Sequence, residues 1–280
     1  MAVIVNQSST WVQGAAYIGY DNLMSKLDSV VTATHEDEGY PIINAVSWPT
    51  YERWQCSPLD DFYVYLSLTT AQEVNSYGYS RHNLTVDDGS AVAYPITTTL
   101  QYSTDEGATW VAMPNSARTA SNRNESQFYV ADAPVSAAYW RIKFTGTFAY
   151  LNPVFFIGNI FIGNSLRLYG APENGFTPPD LAMANEYISN ESDGGDYLGR
   201  TLIRKAGQTQ FTISNVPETW VTGEWLAAMH AIERHPFYFS WDAVNHPTSV
   251  AYCYVEKSIA KPRYTGSKFM SFSLKFRTVS

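Results

Sequence analysis

The sequence has few charged residues and almost no cysteine for its length. Lys, Arg, Asp and Glu make up 16% of the 280 residues, below the roughly one quarter that is usual in soluble domains. The net charge is −8 and no run rich in Lys or Arg occurs, so a nucleic-acid footprint is absent. Cys56 and Cys253 are predicted to be buried thiols, with a disulfide between them as the open alternative.

Long apolar runs are also missing. The longest, over 148–163, is interrupted by Asn152, Pro153 and Asn159 and is too short to cross a bilayer. The first residues contain no basic region ahead of an apolar core, so no signal peptide is predicted. We therefore expect no membrane insertion.

Motifs of common catalytic and metal sites are absent as well. The sequence contains no H-E-x-x-H, C-x-x-C, G-x-S-x-G or G-x-x-x-x-G-K-[ST] motif. The acidic stretches HEDEGY and NESDGGD are predicted to be a solvated loop and a flexible turn. The sequence thus predicts no enzyme, no metal and no cofactor. The alternative is a glycoside hydrolase or lyase, because two carboxylates across a cleft leave no sequence motif.

Aromatic residues are abundant instead, at 15% of the chain, and aromatic side chains pack well on a pleated sheet. Short alternating runs separated by Gly, Pro, Asn and Asp recur along the chain. They predict an all-β fold with two β-sandwich domains. The clearest runs are FYVYLSL, TTTLQYS, SQFYVAD, YWRIKFTG, TQFTISNV, PFYFSWD, VAYCYVEKS and MSFSLKFRTV.

A segment rich in Gly and Pro predicts a division of the chain in two. We place the first sandwich at residues 30–168, a linker at 169–180 and the second sandwich at 181–280. Residues 1–29 are too short for a domain, and they are predicted to be an N-terminal arm that packs on a neighbouring subunit.

Helical periodicity is clear only over residues 222–235, within the second sandwich. Trp225, Met229 and Ile232 recur at helical spacing there. Thr222 is a candidate N-terminal cap, and Pro236 is expected to end the helix.

In the first domain, Trp54 precedes the run FYVYLSL, and EVNSYGYSRHNL, YSTDEGATW and YWRIKFTG follow in that order. This order resembles the galactose-binding jelly roll of the discoidin, or coagulation factor 5/8 type C, family. The resemblance implies an eight-stranded sandwich of two sheets, and many such modules bind sugars through loops at one end. Because no Arg/His/Trp sugar clamp follows from the spacing, the ligand stays open.

The stretch EVNSYGYSRHNLTVDDG has two interpretations. In the first it is a strand and its following loop, where His82 and Asn83 bond to loop backbone and Leu84 is in the core. A similar tripeptide ends a strand in virion-protein versions of the module. In the second interpretation the stretch contacts a glycan through Tyr77, Tyr79, Arg81 and His82.

Three further features of the first domain remain open. Trp48 and Trp54 are additional glycan candidates, although Trp54 is expected in the core. Asp87 and Asp88 are predicted to form a turn, since two adjacent carboxylates do not supply the six to eight oxygens of a calcium site.

The last part of the chain combines L-x-R, one helix, HPFYFSWD, P-x-x-V-A-Y and SFSLKF. This order resembles the tail-tube-like fold of distal and minor tail proteins of bacteriophages. The resemblance implies a structural virion protein of a tail tip or baseplate, made in the host cytoplasm. Its implied partners are copies of itself in a ring, neighbouring tail proteins and, as candidate ligands, host-surface glycans. The alternative is a freestanding carbohydrate-binding protein.

Overall fold

A computed structural model describes residues 16–86, 94–120, 126–146, 154–170, 172–173, 175–182, 186–204, 207–243 and 245–279. Strands dominate, and the all-β prediction is confirmed. The strands before residue 168 are β1 (Tyr17–Asn22), β2 (Ser29–Ala33), β3 (Trp54–Cys56), β4 (Phe62–His82), β5 (Thr85–Val86), β6 (Tyr94–Pro95), β7 (Thr97–Ser103), β8 (Val111–Ala112), β9 (Arg118–Thr119), β10 (Gln127–Thr145) and β11 (Phe155–Arg167).

The remaining strands are β12 (Glu186–Glu191), β13 (Tyr197–Arg204), β14 (Gly207–Pro217), β15 (Phe237–Ser240), β16 (Val250–Tyr254), β17 (Arg263–Gly266) and β18 (Phe269–Val279). Helical segments are short: a 3-10 turn (Leu23–Ser25), α1 (Ile43–Val46), α2 (Glu218–Trp220), a π-helical turn (Val221–Trp225) and α3 (Leu226–Arg234).

The long strand β4 belongs to both layers of the first sandwich. Its first part pairs with β2, where Val64 lies opposite Ala33. Its second part pairs with β11, where Tyr77 lies opposite Ile162. Strand β10 pairs along both parts, and its register shifts twice between them. Because irregular pairing bends a sheet, one hydrogen-bonded sheet turns back on itself and encloses a core.

Two large hydrophobic cores follow from this arrangement. The first contains stacked rings of Phe62 and Phe144, with centroids 4.6 Å apart, beside Trp54. The second contains Phe211, which stacks on Phe239 across the sheet at 5.4 Å. Aromatic rings of this size bury about 150–250 Å² each, so the aromatic-rich composition is accounted for mainly by core packing.

A third, smaller cluster joins the two sandwiches. Phe128 of β10 stacks on Tyr238 of β15 with centroids 5.5 Å apart, and Phe161 packs against both rings. The Tyr238 hydroxyl also donates to Asn159 Oδ1 at 3.0 Å. The run FYFS of β15 is therefore buried on both of its faces.

Strand β1 lies between the sandwiches and pairs on both sides. Tyr17 is opposite Arg167 of β11 and opposite Ser240 of β15. The described part of the predicted N-terminal arm is thus a central strand of its own chain. Its backbone donors and acceptors pair with both neighbours, which satisfies them inside the sheet. The rest of that arm, residues 1–15, lies outside the described residues.

Residues 169–180, predicted to be a linker, are likewise packed against the rest of the chain. Its Phe176 ring packs edge-on against Phe239 and beside Trp241 of the second core. Glu173 donates its backbone N–H to Thr212 of β14 at 3.1 Å. The contact of the Phe176 ring with the second core therefore holds this Gly- and Pro-rich segment against the second sandwich.

The helix of the second sandwich begins earlier than predicted. It starts at Glu218, and Pro217 takes the N-cap position. Thr222 lies inside it and donates its hydroxyl to the Glu218 carbonyl at 2.9 Å. Trp225, Met229 and Ile232, which recur at helical spacing, are all buried.

Candidate functional site

Three of the four predicted glycan-contacting residues are buried. Tyr77, Tyr79 and His82 are each at most 1% exposed. The Tyr77 hydroxyl donates to the Ser116 carbonyl at 2.7 Å, and burial raises the pKa of Tyr79 to about 12. A side chain without surface cannot stack on a sugar, so the glycan-contact prediction is wrong for these three.

The other interpretation of the stretch is confirmed. The Leu84 amide donates to His82 Nδ1 at 3.2 Å, and the Asn83 side chain bonds to Val154 and Phe156 of the neighbouring chain segment. Leu84 is fully buried. The tripeptide His82–Leu84 thus connects the end of β4 to the start of β11 through the hydrogen bonds of Asn83.

The remaining predicted site residues differ in how exposed they are. Arg81 is exposed, has a positive φ of 55°, and donates from Nη1 to the Thr50 carbonyl; a glycan contact there stays a prediction. Trp54 is buried and donates from Nε1 to the His35 carbonyl at 3.0 Å, as expected for a core residue. Asp87 and Asp88 lie outside the described residues.

A cleft lies where the first sandwich meets the second. Its volume is about 230 Å³, and its lining residues are Asn115, Arg118, Tyr129, Asp132 and Ala243. Pockets that enclose drug-sized ligands measure roughly 300–1,000 Å³, so this cleft suits one small ring. Ala243 follows β15 and packs on the third cluster, which means that both sandwiches form the site.

The stretch from β8 through β9 holds two of these side chains, Asn115 and Arg118, in place. The Ser116 hydroxyl donates to the Leu100 carbonyl at 3.2 Å, and the Ala120 amide donates to the Ile96 carbonyl at 2.9 Å. Asn115 has a φ of 55°, a left-handed conformation that asparagine tolerates better than most residues. The chain therefore turns sharply at the cleft and presents Asn115 and Arg118 to it.

Two hydrogen bonds from Nη1 orient the Arg118 guanidinium and leave its other N–H groups for a ligand. Nη1 donates to the carbonyls of Asn115 and Ala117 at 3.0 and 2.9 Å, and Cζ lies 4.9 Å from the centre of the Tyr129 ring. Within the described part of the chain, Arg118 Nε and Nη2, the Asn115 amide and the Asp132 carboxylate have no hydrogen-bond partner.

The cleft has an uncharged phenol beside a cation and an anion. Burial raises the pKa of Tyr129 to about 12, with Arg118 lowering it and Asp132 raising it. One guanidinium and one carboxylate face the same space, so donors and acceptors are both present and the net charge is near zero. Such a set can bond to the hydroxyls of a neutral polar ligand.

Only a weak signal for this cleft is present in the sequence. Asn115, Arg118, Tyr129 and Asp132 belong to runs that predict a turn and a strand. Ala243 is more than 100 residues further along the chain, so no local pattern joins it to the others.

A second unusual feature is the β12–β13 hairpin. Its two strands pair only with each other among the described strands. Large apolar side chains are exposed on it by between 39% and 66%, at Tyr187, Ile188, Tyr197, Leu198 and Leu202. The described residues therefore include one element that projects from the sandwich and keeps its apolar side chains in solvent.

Neither a metal-binding cluster nor a membrane-spanning helix is found among the described residues. Across the described ranges, no group of three or more His, Cys, Asp or Glu side chains is placed to hold a metal ion. No described helix is long and apolar enough to cross a bilayer.

Solved structures resemble about half of the chain. A pectin-binding carbohydrate-binding module is 20% identical, covers 52% of this chain and 92% of its own, and has a TM-score of 0.38. Chitosan-binding module 1 of a Paenibacillus sp. IK-5 chitosanase/glucanase is 17% identical over 52% of this chain and 100% of its own, at 0.39.

A Ruminococcus gnavus GH29 fucosidase in complex with fucose is 12% identical, with 52% of this chain and 27% of that chain covered and a TM-score of 0.41. These identities and scores are too low to assign a ligand. No protein-family model matches the sequence, and no curated protein does.

Proposed function

We propose that the protein is a non-catalytic structural subunit that assembles with other copies of itself. The β12–β13 hairpin carries this proposal. A two-stranded hairpin alone is marginally stable in water, and fully burying one large apolar side chain is worth about 1.5–3 kcal/mol. Contact with another subunit would cover the five exposed apolar side chains of the hairpin and hold its strands together.

The particle that we propose is a phage tail tip or baseplate, in which copies form a ring beside neighbouring tail proteins. The resemblance of the second sandwich to tail-tube-like proteins supports this assignment. The continuous sheet through β1 also fits it, because a subunit that carries load benefits from such a connection. In this proposal the protein is made in the host cytoplasm and resides in the virion, where the first sandwich faces outward.

The test is the mass of the purified protein by light scattering, with negative-stain images. We expect a closed multimer that dissociates when Ile188 and Leu198 are replaced by Ser. A matched control replaces Val30 and Leu59, which are 62% and 72% exposed outside the hairpin, and it should remain assembled. A monomeric wild type, or equal behaviour of both variants, would refute the proposal.

A second candidate function is carbohydrate binding, alone or as part of the particle. The cleft favours it, because a tyrosine ring lies beside a guanidinium, an amide and a carboxylate that have unused hydrogen-bonding capacity. Sugar hydroxyls donate and accept hydrogen bonds, and the guanidinium, amide and carboxylate of this lining offer both donors and acceptors. The near-neutral lining favours neutral sugars over acidic ones.

Binding to a panel of neutral and acidic glycans tests this candidate. We expect Ala243→Leu to abolish binding because the larger side chain fills the cleft without removing a polar group. Ala112→Leu, on the exposed strand β8, adds the same group elsewhere and should bind like the wild type. A wild type that binds no glycan, or retained binding in Ala243→Leu, would rule out the cleft.

A further inference from the structure

The end of the chain has the opposite charge to the rest. Residues 255–279 contain six of the 18 basic residues and a single acidic one, Glu256, although the whole chain has a net charge of −8. Four of these basic side chains, at Lys257, Lys261, Arg263 and Lys268, lie on or beside the exposed β17–β18 hairpin and its preceding loop. This surface therefore favours contact with anionic groups.

A cavity of about 350 Å³ lies in this basic surface. It is lined by Gln210 and Lys275, which are opposite one another on β14 and β18, and by Lys257 and Glu256 from the loop after β16. Glu256 forms an ion pair with Arg277. Within the described ranges, neither Lys257 nor Lys275 has a carboxylate partner. Two unpaired ammonium groups therefore border one recess.

The tip of the β12–β13 hairpin has the complementary charge. Glu191, Asp193 and Asp196 lie there without a basic residue between them, and all three are exposed. The tip has a defined shape, since the Asp196 amide donates to Ser192 Oγ at 3.0 Å and Gly195 turns the chain with a φ of 84°. The carboxylates are thus presented at the end of the projecting hairpin.

We propose that the acidic hairpin tip of one copy docks in the lysine cavity of a second copy. The inference rests on the proposed assembly function and names the surface that receives the hairpin. Opposite charges match, and the apolar hairpin flanks would be covered at the same time. Because tip and cavity are different surfaces of the same chain, the contact is heterologous, and repeating it produces a ring if the rotation closes.

Charge reversal with a rescue by mixing tests the contact. The tip variant is Asp193→Lys with Asp196→Lys, and the cavity variant is Lys257→Glu with Lys275→Glu. Like charges across an interface oppose association, so each variant alone should associate at least about tenfold more weakly than the wild type. An equimolar mixture should reassemble, because each altered tip then meets an altered cavity and each native tip meets a native cavity.

The control reverses the charge of two exposed acidic residues elsewhere, Asp28→Lys with Glu52→Lys, and it should assemble like the wild type.

A second test mixes the Asp193→Cys variant with the Lys257→Cys variant and oxidises the mixture. We expect a disulfide between copies, free of interference from the native thiols because Cys56 and Cys253 are buried.

The outcomes separate the two proposals. A wild type that assembles while both charge variants assemble equally well would overturn the docking contact and leave the assembly function standing. Weakening of each variant without rescue in the mixture, and without the disulfide, would also overturn the contact. A monomeric wild type would overturn both.

Discussion

The indole of Trp48 stacks on the imidazole of His235, with ring centroids 4.4 Å apart and planes inclined by 16°. Trp48 follows helix α1 of the first sandwich, and His235 follows α3 of the second. The Tyr252 hydroxyl donates to the carbonyl of the same tryptophan at 3.3 Å. One residue of the first sandwich therefore contacts two elements of the second, beside the joint that β1 makes.

Replacing Trp48 with Ala should destabilise the joint between the sandwiches. Stacked aromatic pairs contribute about 0.5–1.5 kcal/mol beyond their buried area. A double-mutant cycle with His235→Ala, measured by urea unfolding, should give a coupling free energy in that range. Strict additivity of the two substitutions would show that the stack contributes nothing to stability.

Gly163→Ala should destabilise the protein by about 1–3 kcal/mol, as overpacked sites commonly do. A Cβ at this position would lie 1.8 Å from the Asp21 carbonyl oxygen, so β1 and β11 must move apart. The matched control is Gly223→Ala, where an added Cβ meets no atom within 4 Å. That substitution in an exposed helix should be stabilising by up to about 1 kcal/mol. Thermal unfolding of both variants measures the difference, and equal shifts would contradict the prediction.

The Asp105 carboxyl should titrate well below its ordinary range. Its pKa falls to about 2 because Ser103 and then Thr109 donate hydrogen bonds to the ionised form. A depressed folded-state pKa contributes stability above the ordinary value of 3.8, and that contribution is lost as the pH falls towards 2. NMR titration of the wild type and of Ser103→Ala should show the midpoint rising in the variant. An unchanged midpoint would assign the shift to another cause.

The two thiols should be unreactive in the folded protein. Both cysteines are free and buried, and burial raises the pKa of each thiol, so little thiolate forms at neutral pH. A colorimetric thiol reagent should label neither cysteine until denaturant is added, and then label both. Prompt labelling of the native protein would contradict this packing.

The strand pattern was predictable because it depends on local alternation. In FYVYLSL, Phe62, Val64 and Leu66 are buried while Tyr63 and Tyr65 keep part of their surface. The helix core was predictable for the same reason, from the spacing of Trp225, Met229 and Ile232. Its start was not, since Pro217 takes the N-cap position without a side-chain hydrogen bond.

The candidate site was less predictable because polar aromatic residues have no fixed location. Tyr77 and Tyr79 look like sugar-binding tyrosines in the sequence, yet strand β4 is covered on both faces at this point by the first core and its neighbours. Arg118 and Ala243 meet only after two sandwiches pack together. Long-range packing of this kind decides which polar side chains remain accessible.

The position of β1 sets the order in which the molecule is completed. Tyr17 pairs with Arg167 on one side and with Ser240 on the other, so an early strand depends on partners made late in synthesis. Contacts of such sequence separation form slowly, since a long loop must close first. During synthesis β1 would lack β11 until residue 167 had been made and β15 until residue 240 had been made, so the second sandwich would join this shared strand after the first.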